Sequence, residues 1–128
     1  MNVNEREYLD ELVHKVIGAV YEVSNKLGAG FLEKVYERAL VRELKLRGIA
    51  AVGQVPLVVS YKGEPVGEYF IDILVEGKLI LELKCCDALA NEHLAQTINY
   101  LKATGQSIAL LINFQQPKVE WRRVFLNY

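Results

Sequence analysis

The amino-acid sequence predicts an α/β fold: two helices, three strands, a third helix and two closing strands. Three observations carry that expectation. Apolar residues recur at steps of three and four in three separate stretches, the mark of a helix that buries one stripe. Between the second and third of these stretches the spacing drops to two, as in a strand with two different faces. Near the C-terminus, Ser107 to Phe114 is a continuous apolar run, which suits a strand buried on both sides.

In chain order, Leu9, Leu12, Val13, Val16, Ile17, Val20 and Tyr21 make one helical stripe over Glu5 to Lys26. Leu27-Gly28-Ala29-Gly30 ends it, since glycine just past a helix adopts a positive φ readily. A second helix, Phe31 to Arg47, carries Leu32, Val35, Tyr36, Ala39, Leu40 and Leu44 on its apolar side and stops at Gly48. Lys34, Arg38, Arg42 and Lys45 share another face, which reads as solvated or, less often, as a phosphate contact. Strands follow at Val55 to Tyr61, Val66 to Val75 and Leu79 to Lys84, separated by Lys62-Gly63-Glu64-Pro65 and Glu76-Gly77-Lys78. Ala88 to Ala103 returns to helical spacing and Gly105 closes it; Val119 to Leu126 reads as an edge strand.

The 128 residues match one domain, taken as 1–128. With 52% hydrophobic and 24% charged residues, a disordered or low-complexity chain is excluded. No apolar run is long enough to span a bilayer and no secretory signal is visible, so a cytoplasmic protein without membrane contact is expected. Fifteen Lys and Arg against 16 Asp and Glu give a net charge of −1, so the chain is no bulk polycation. Its two cysteines, Cys85 and Cys86, are neighbours and read as reduced thiols.

The strongest chemical signal is the hairpin Val66 to Lys84. Its odd positions Tyr69, Ile71, Ile73, Val75, Leu79, Leu81 and Leu83 are all apolar and predict a core face. Its even positions include Asp72, Glu82 and Lys84. These converge only if the turn has an odd number of residues or a bulge, so a three-residue turn or a bulge is expected. Two carboxylates held together repel unless one is protonated or a cation intervenes. A hard divalent ion such as Mg²⁺ takes oxygen ligands and keeps waters for a phosphate. Asp72 and Glu82 are therefore candidate ligands, joined by the backbone carbonyl of Leu83, with Lys84 orienting a water. The bland alternative is an ion pair, Glu82–Lys84 or Asp72–Lys84, on a half-exposed sheet face. On the next helix Gln96 and Tyr100 are four apart and share a polar side with Glu92 and His93. Glu33 reads equally well as a first-turn acid.

Taken together, Gly30-Phe31-Leu32-Glu33-Lys34-Val35-Tyr36, Asp72, Glu82-Leu83-Lys84, Gln96-Thr97-Ile98-Asn99-Tyr100-Leu101 and Leu110-Leu111-Ile112-Asn113-Phe114 resemble the small bacterial proteins of the GxxExxY family. That family is placed in the PD-(D/E)XK nuclease superfamily. The resemblance spans nearly the whole chain and implies a restriction-endonuclease-like core, a central mixed sheet flanked by helices. It also implies roles. Asp72 and Glu82 match metal-binding carboxylates, Lys84 the catalytic lysine, and Glu33 the acid that the preceding helix adds to the site. Gln96 and Tyr100 look like the Gln-x-x-x-Tyr feature of the branch tied to recombination and helicase proteins, where they help hold the site or the DNA. Gly30 and Tyr36 look structural. Ile71 stands where the superfamily's name has proline.

The expectation is a Mg²⁺- or Mn²⁺-dependent nuclease acting on nucleic acid, DNA favoured, with a homodimer compatible with two-strand cutting. The alternatives are a non-catalytic module that binds nucleic acid or protein, and a structural protein with a salt-bridged sheet.

Overall fold

The computed structural model describes residues 1–126. The elements are α1 (Val3–Leu27), α2 (Glu33–Leu46), β1 (Ala51–Tyr61), β2 (Glu64–Val75), β3 (Leu79–Lys84), α3 (Asn91–Thr104), β4 (Ile108–Asn113) and β5 (Glu120–Phe125). The strands form one five-stranded mixed sheet in the order β1-β2-β3-β4-β5. Only β3 and β4 run parallel, joined by the α3 crossover; the other pairs are antiparallel. Helices α1 and α2 pack on one side, with Val16, Val20, Tyr36 and Leu40 against Ile73, Leu79, Leu81 and Leu110. Helix α3 packs on the other, with Tyr100 and Leu101 against Ile80, Ala109 and Leu111. Helices on both faces explain why β4 is buried at all six positions.

Among the element boundaries that differ from the sequence expectation, three bear on the site. Helix α2 begins at Glu33, because Phe31 N–H donates to the Tyr36 hydroxyl and Leu32 stays extended. That hydroxyl also donates to Gly28 O, at 2.6 Å, and its ring stacks on Phe114. Tyr36 thus pins the loop around Gly30, whose φ of 110° strains any other residue. Strand β1 begins at Ala51, paired with Val75. Helix α3 begins at Asn91, because the segment after Lys84 is held open as a loop.

Asn113, fully buried at the end of β4, holds that loop. Its Oδ1 accepts from Cys86 N–H, and its Nδ2 donates to Cys86 O and Glu120 Oε1. Each buried group left unpaired costs about 1–3 kcal/mol. Asn113→Ala therefore lowers stability by about 2–4 kcal/mol, read as a shift of the urea midpoint with unchanged slope.

The parity expectation is met at the turn and corrected further along. Val75 pairs with Leu79, so Glu76-Gly77-Lys78 is the expected three-residue connection, with Glu76 and Gly77 both at positive φ. Ile73, Val75, Leu79, Leu81 and Leu83 all enter the α1–α2 core. Ile71 does not: it joins the α3-side cluster, and Tyr69, half-exposed, lies beside Tyr100 with ring centroids 5.9 Å apart. On β1 the change falls at the same level. Ala51 belongs to the α1–α2 side, while Val55 and Leu57 belong to the α3 side. Between them Gln54 has a φ of 52°, a left-handed backbone that turns the ribbon over.

Candidate active site

The β2–β3 ladder is short, ending at the pair Ile73–Leu81, although both strands continue. Asp72 and Glu82 are the next residues on each strand, at the point where the strands part. The Asp72 side chain stands in for the missing ladder partner: its Oδ2 accepts the Leu83 N–H at 2.8 Å. Phe114 N–H donates to Lys84 O, so Lys84 faces β4 and Leu83 turns its amide and carbonyl toward the gap beside Asp72.

Glu82 is almost fully buried, and its Oε1 has no hydrogen-bond partner among the described residues. Its carboxyl lies within hydrogen-bonding reach of the Asp72 carboxyl. Burial first, then that contact and the Asp72 charge, push its pKa up to about 10. Without a cation, the pair holds a proton at neutral pH. Tyr100 faces the same carboxylates; burial and the charges of Glu82 and Asp72 push its hydroxyl up to about 12. The polar side of α3 is thus only partly open to solvent: Tyr100 is buried, while Glu92, Gln96 and Asn99 beside it reach solvent.

Lys84 makes neither ion pair that the bland alternative requires; among the described residues the ion pairs are Lys34–Glu37, Arg47–Glu43 and Arg123–Asp10. Its Nζ donates instead to Gln96 Oε1, at 3.5 Å. Glu33, in the first turn of α2, stands at the solvent side. Partial burial and the Asp72 charge raise its pKa, while Lys84 opposes them. Glu33 of α2, Asp72 of β2, Glu82 and Lys84 of β3, and Gln96 and Tyr100 of α3 thus lie around one locus. The pairing of Lys34 with Glu37 removes it from the basic stripe; Arg38, Arg42 and Lys45 remain exposed.

Sequence reasoning missed two residues here. Glu37 is buried and accepts from both Lys34, at 3.3 Å, and Gln54. Its place one turn after Glu33, on the same helical face, was the available signal. Gln54 lies opposite Asp72 on β1 and carries no such signal. The cysteines diverge as parity predicts, Cys85 toward the α1–α2 core and Cys86 toward α3. Burial is the main cause that raises both thiols above their ordinary pKa.

Among the described residues, no three His, Cys, Asp or Glu side chains are grouped closely enough to cage a metal ion. A Mg²⁺-type site asks for less: one or two carboxylates, with water and substrate phosphate completing the shell. Asp72, Glu82 with its orphaned oxygen, and the Leu83 carbonyl fit that requirement. Beside them, a groove of about 680 Å³ opens between the β1–β2 ribbon and α3, lined by Leu57, Tyr69, Gln96, Asn99 and Tyr100.

The protein is an α/β fold with a mixed sheet between helices, and two carboxylates and a lysine lie where two of its strands part. The family comparison makes it specific: residues 10–124 match the model of the PD-(D/E)XK nuclease superfamily, and the chain belongs to that superfamily. The fold also resembles the crystal structure of SSO0001, with a TM-score of 0.58 and 17% sequence identity. That match covers 98% of this chain and 62% of the other, so this chain spans under two thirds of that protein's length. No curated protein matches. Among the described residues, no helix is long and apolar enough to cross a membrane.

Proposed function

We propose that the chain is a divalent-metal-dependent nuclease that hydrolyses phosphodiester bonds in nucleic acid at the Asp72–Glu82–Lys84 locus. One observation carries this reading: a buried carboxylate with an unpartnered oxygen is held against a second carboxylate at a break in the sheet. An arrangement that costs stability without a cation is accounted for by a cation. Mg²⁺ or Mn²⁺ would be held by Asp72, Glu82 and the Leu83 carbonyl, with Glu33 reached through its solvent side. When bound, the ion would supply positive charge to the phosphate undergoing attack.

The chain's own residues do the rest. Lys84, steered by Gln96, holds its ammonium where it orients the attacking water and offsets charge on the phosphate oxygens. Tyr100, kept protonated, offers a hydroxyl donor at the wall of the groove. The groove beside Gln96 and Tyr100 has room for nucleotides of the substrate strand. With this reading go the GxxExxY subfamily, a single nuclease domain over residues 1–128, DNA as substrate, a homodimer where both strands are cut, and a cytoplasmic setting.

The test is cleavage of end-labelled single- and double-stranded DNA and RNA by the purified chain, with Mg²⁺, with Mn²⁺ and with chelator. The expected result is cleavage that needs the metal and falls about 10²–10³-fold in Lys84→Ala, with metal binding retained. Activity that is indifferent to chelator, or equal in Lys84→Ala, contradicts the proposal. Metal binding without cleavage of any substrate favours the non-catalytic binding module, a reading to which the net charge of −1 lends some weight.

A further inference from the structure

Gln54 sits in the middle of β1 with a φ of 52°, a conformation that favours glycine or asparagine. A residue held this way is strained, and the strain persists only where its surroundings enforce it. Its neighbours Gly53 and Val55 pair with Ile73 and Ile71, so Gln54 lies opposite Asp72. Here the β1–β2 ribbon passes from the α1–α2 side of the sheet to the α3 side. Strand β2 and helix α2 both pack beside this bend: a Cβ on Gly53 would make ordinary contact with Asp72 O, at 3.6 Å, and with Val41 Cγ2 of α2, at 3.7 Å. From this bend the Gln54 amide donates to Glu37 Oε1, while Glu37 Oε2 accepts from Lys34, at 3.3 Å. Glu37 is buried and one helical turn from Glu33. A single chain of contacts therefore runs from the strand bearing Asp72, through Gln54 and Glu37, to the helix bearing Glu33.

We infer that Gln54 is a positioning residue: its amide, latched to Glu37, fixes the bend that sets Asp72 against Glu82 and holds α2 at a fixed distance from them. The inference rests on the reading of Asp72 and Glu82 as cation ligands. It explains why a glutamine occupies a backbone state that suits other residues. A merely structural role would be served better by glycine, which adopts this φ without strain and lacks the amide.

That contrast supplies the test. Gln54→Gly relieves the backbone while removing the latch, so folding is spared. Glu37→Gln keeps an oxygen acceptor for the Gln54 amide and serves as the conservative control. Calorimetric titration with Mn²⁺ and thermal unfolding in chelator are read on both variants and the wild type. The expected result for Gln54→Gly is an unfolding midpoint within a few degrees of wild type, with about tenfold weaker Mn²⁺ binding. Glu37→Gln is expected to stay within about twofold of wild type. Wild-type affinity in Gln54→Gly, with wild type itself binding Mn²⁺, overturns the latch and leaves the cation site standing. Failure of the wild type to bind Mn²⁺ overturns the cation site, and the role of Gln54 with it.

Discussion

Asp72→Asn abolishes Mn²⁺ binding and metal-dependent cleavage together, each by about 100-fold or more, in a chain that still folds. Asparagine is the informative replacement because Asp72 has two jobs. Its Oδ2 accepts the Leu83 N–H where the β2–β3 ladder ends, and an amide oxygen can take that bond over. Its negative charge is what a cation would use, and the amide lacks it. Alanine removes both functions and leaves the Leu83 amide unpaired, at about 1–3 kcal/mol, so it would mix a folding defect with a ligand defect. Binding is read by calorimetry and folding by the unfolding midpoint. Undiminished Mn²⁺ binding by Asp72→Asn would remove Asp72 from the ligand set.

Glu82→Gln is expected to stabilise the metal-free protein and to abolish its stabilisation by Mn²⁺. The sign follows from the proton. Burial beside Asp72 raises the folded-state pKa of Glu82 to about 10, against 4.5 for the ordinary group. The stability that this proton supplies is fully present below pH 4.5. It is lost as pH rises toward 10, because the unfolded chain sheds the proton first. At pH 8 the loss is on the order of a few kcal/mol. Glutamine has no proton to lose, so its advantage over wild type grows with pH through that window. Mn²⁺ reverses the ranking, since a ligand bound only by the folded state stabilises it by mass action. Because the ion displaces the shared proton, wild-type affinity also rises with pH. Thermal unfolding at pH 5, 7 and 9, with and without Mn²⁺, reads all of this; a wild type that outlasts Glu82→Gln in chelator at pH 9 contradicts it.

Much of this arrangement was legible in the sequence, for physical reasons. Alternation along Val66–Lys84 ties each residue to a face, so an odd-length turn was enough to bring Asp72 and Glu82 together. The interval between Gln96 and Tyr100 is one helical turn, which puts them on one side whatever they pack against. What alternation does not register is a change of hand in the backbone. Gln54 is not a residue that advertises a left-handed φ, so the turnover of the ribbon, and with it the places of Tyr69 and Ile71, went unread. Burial was illegible for a related reason. Tyr100 on a helix beside polar residues looks solvated until the ribbon folds back over it. Glu37 was missed, because nothing local reveals Gln54 approaching it from another element. The role of Asp72 as a substitute for a backbone acceptor depends on where β2 leaves β3, which is set by the tertiary twist.

The central claim is that Asp72, Glu82 and the Leu83 carbonyl form a cation site. Anomalous diffraction at the manganese edge, from crystals of the wild-type chain soaked in Mn²⁺ at pH 8, tests it most directly. One strong peak is expected between the two carboxylates and within coordination distance of the Leu83 carbonyl oxygen. No peak there, with Glu82 still sharing a proton with Asp72, would contradict it.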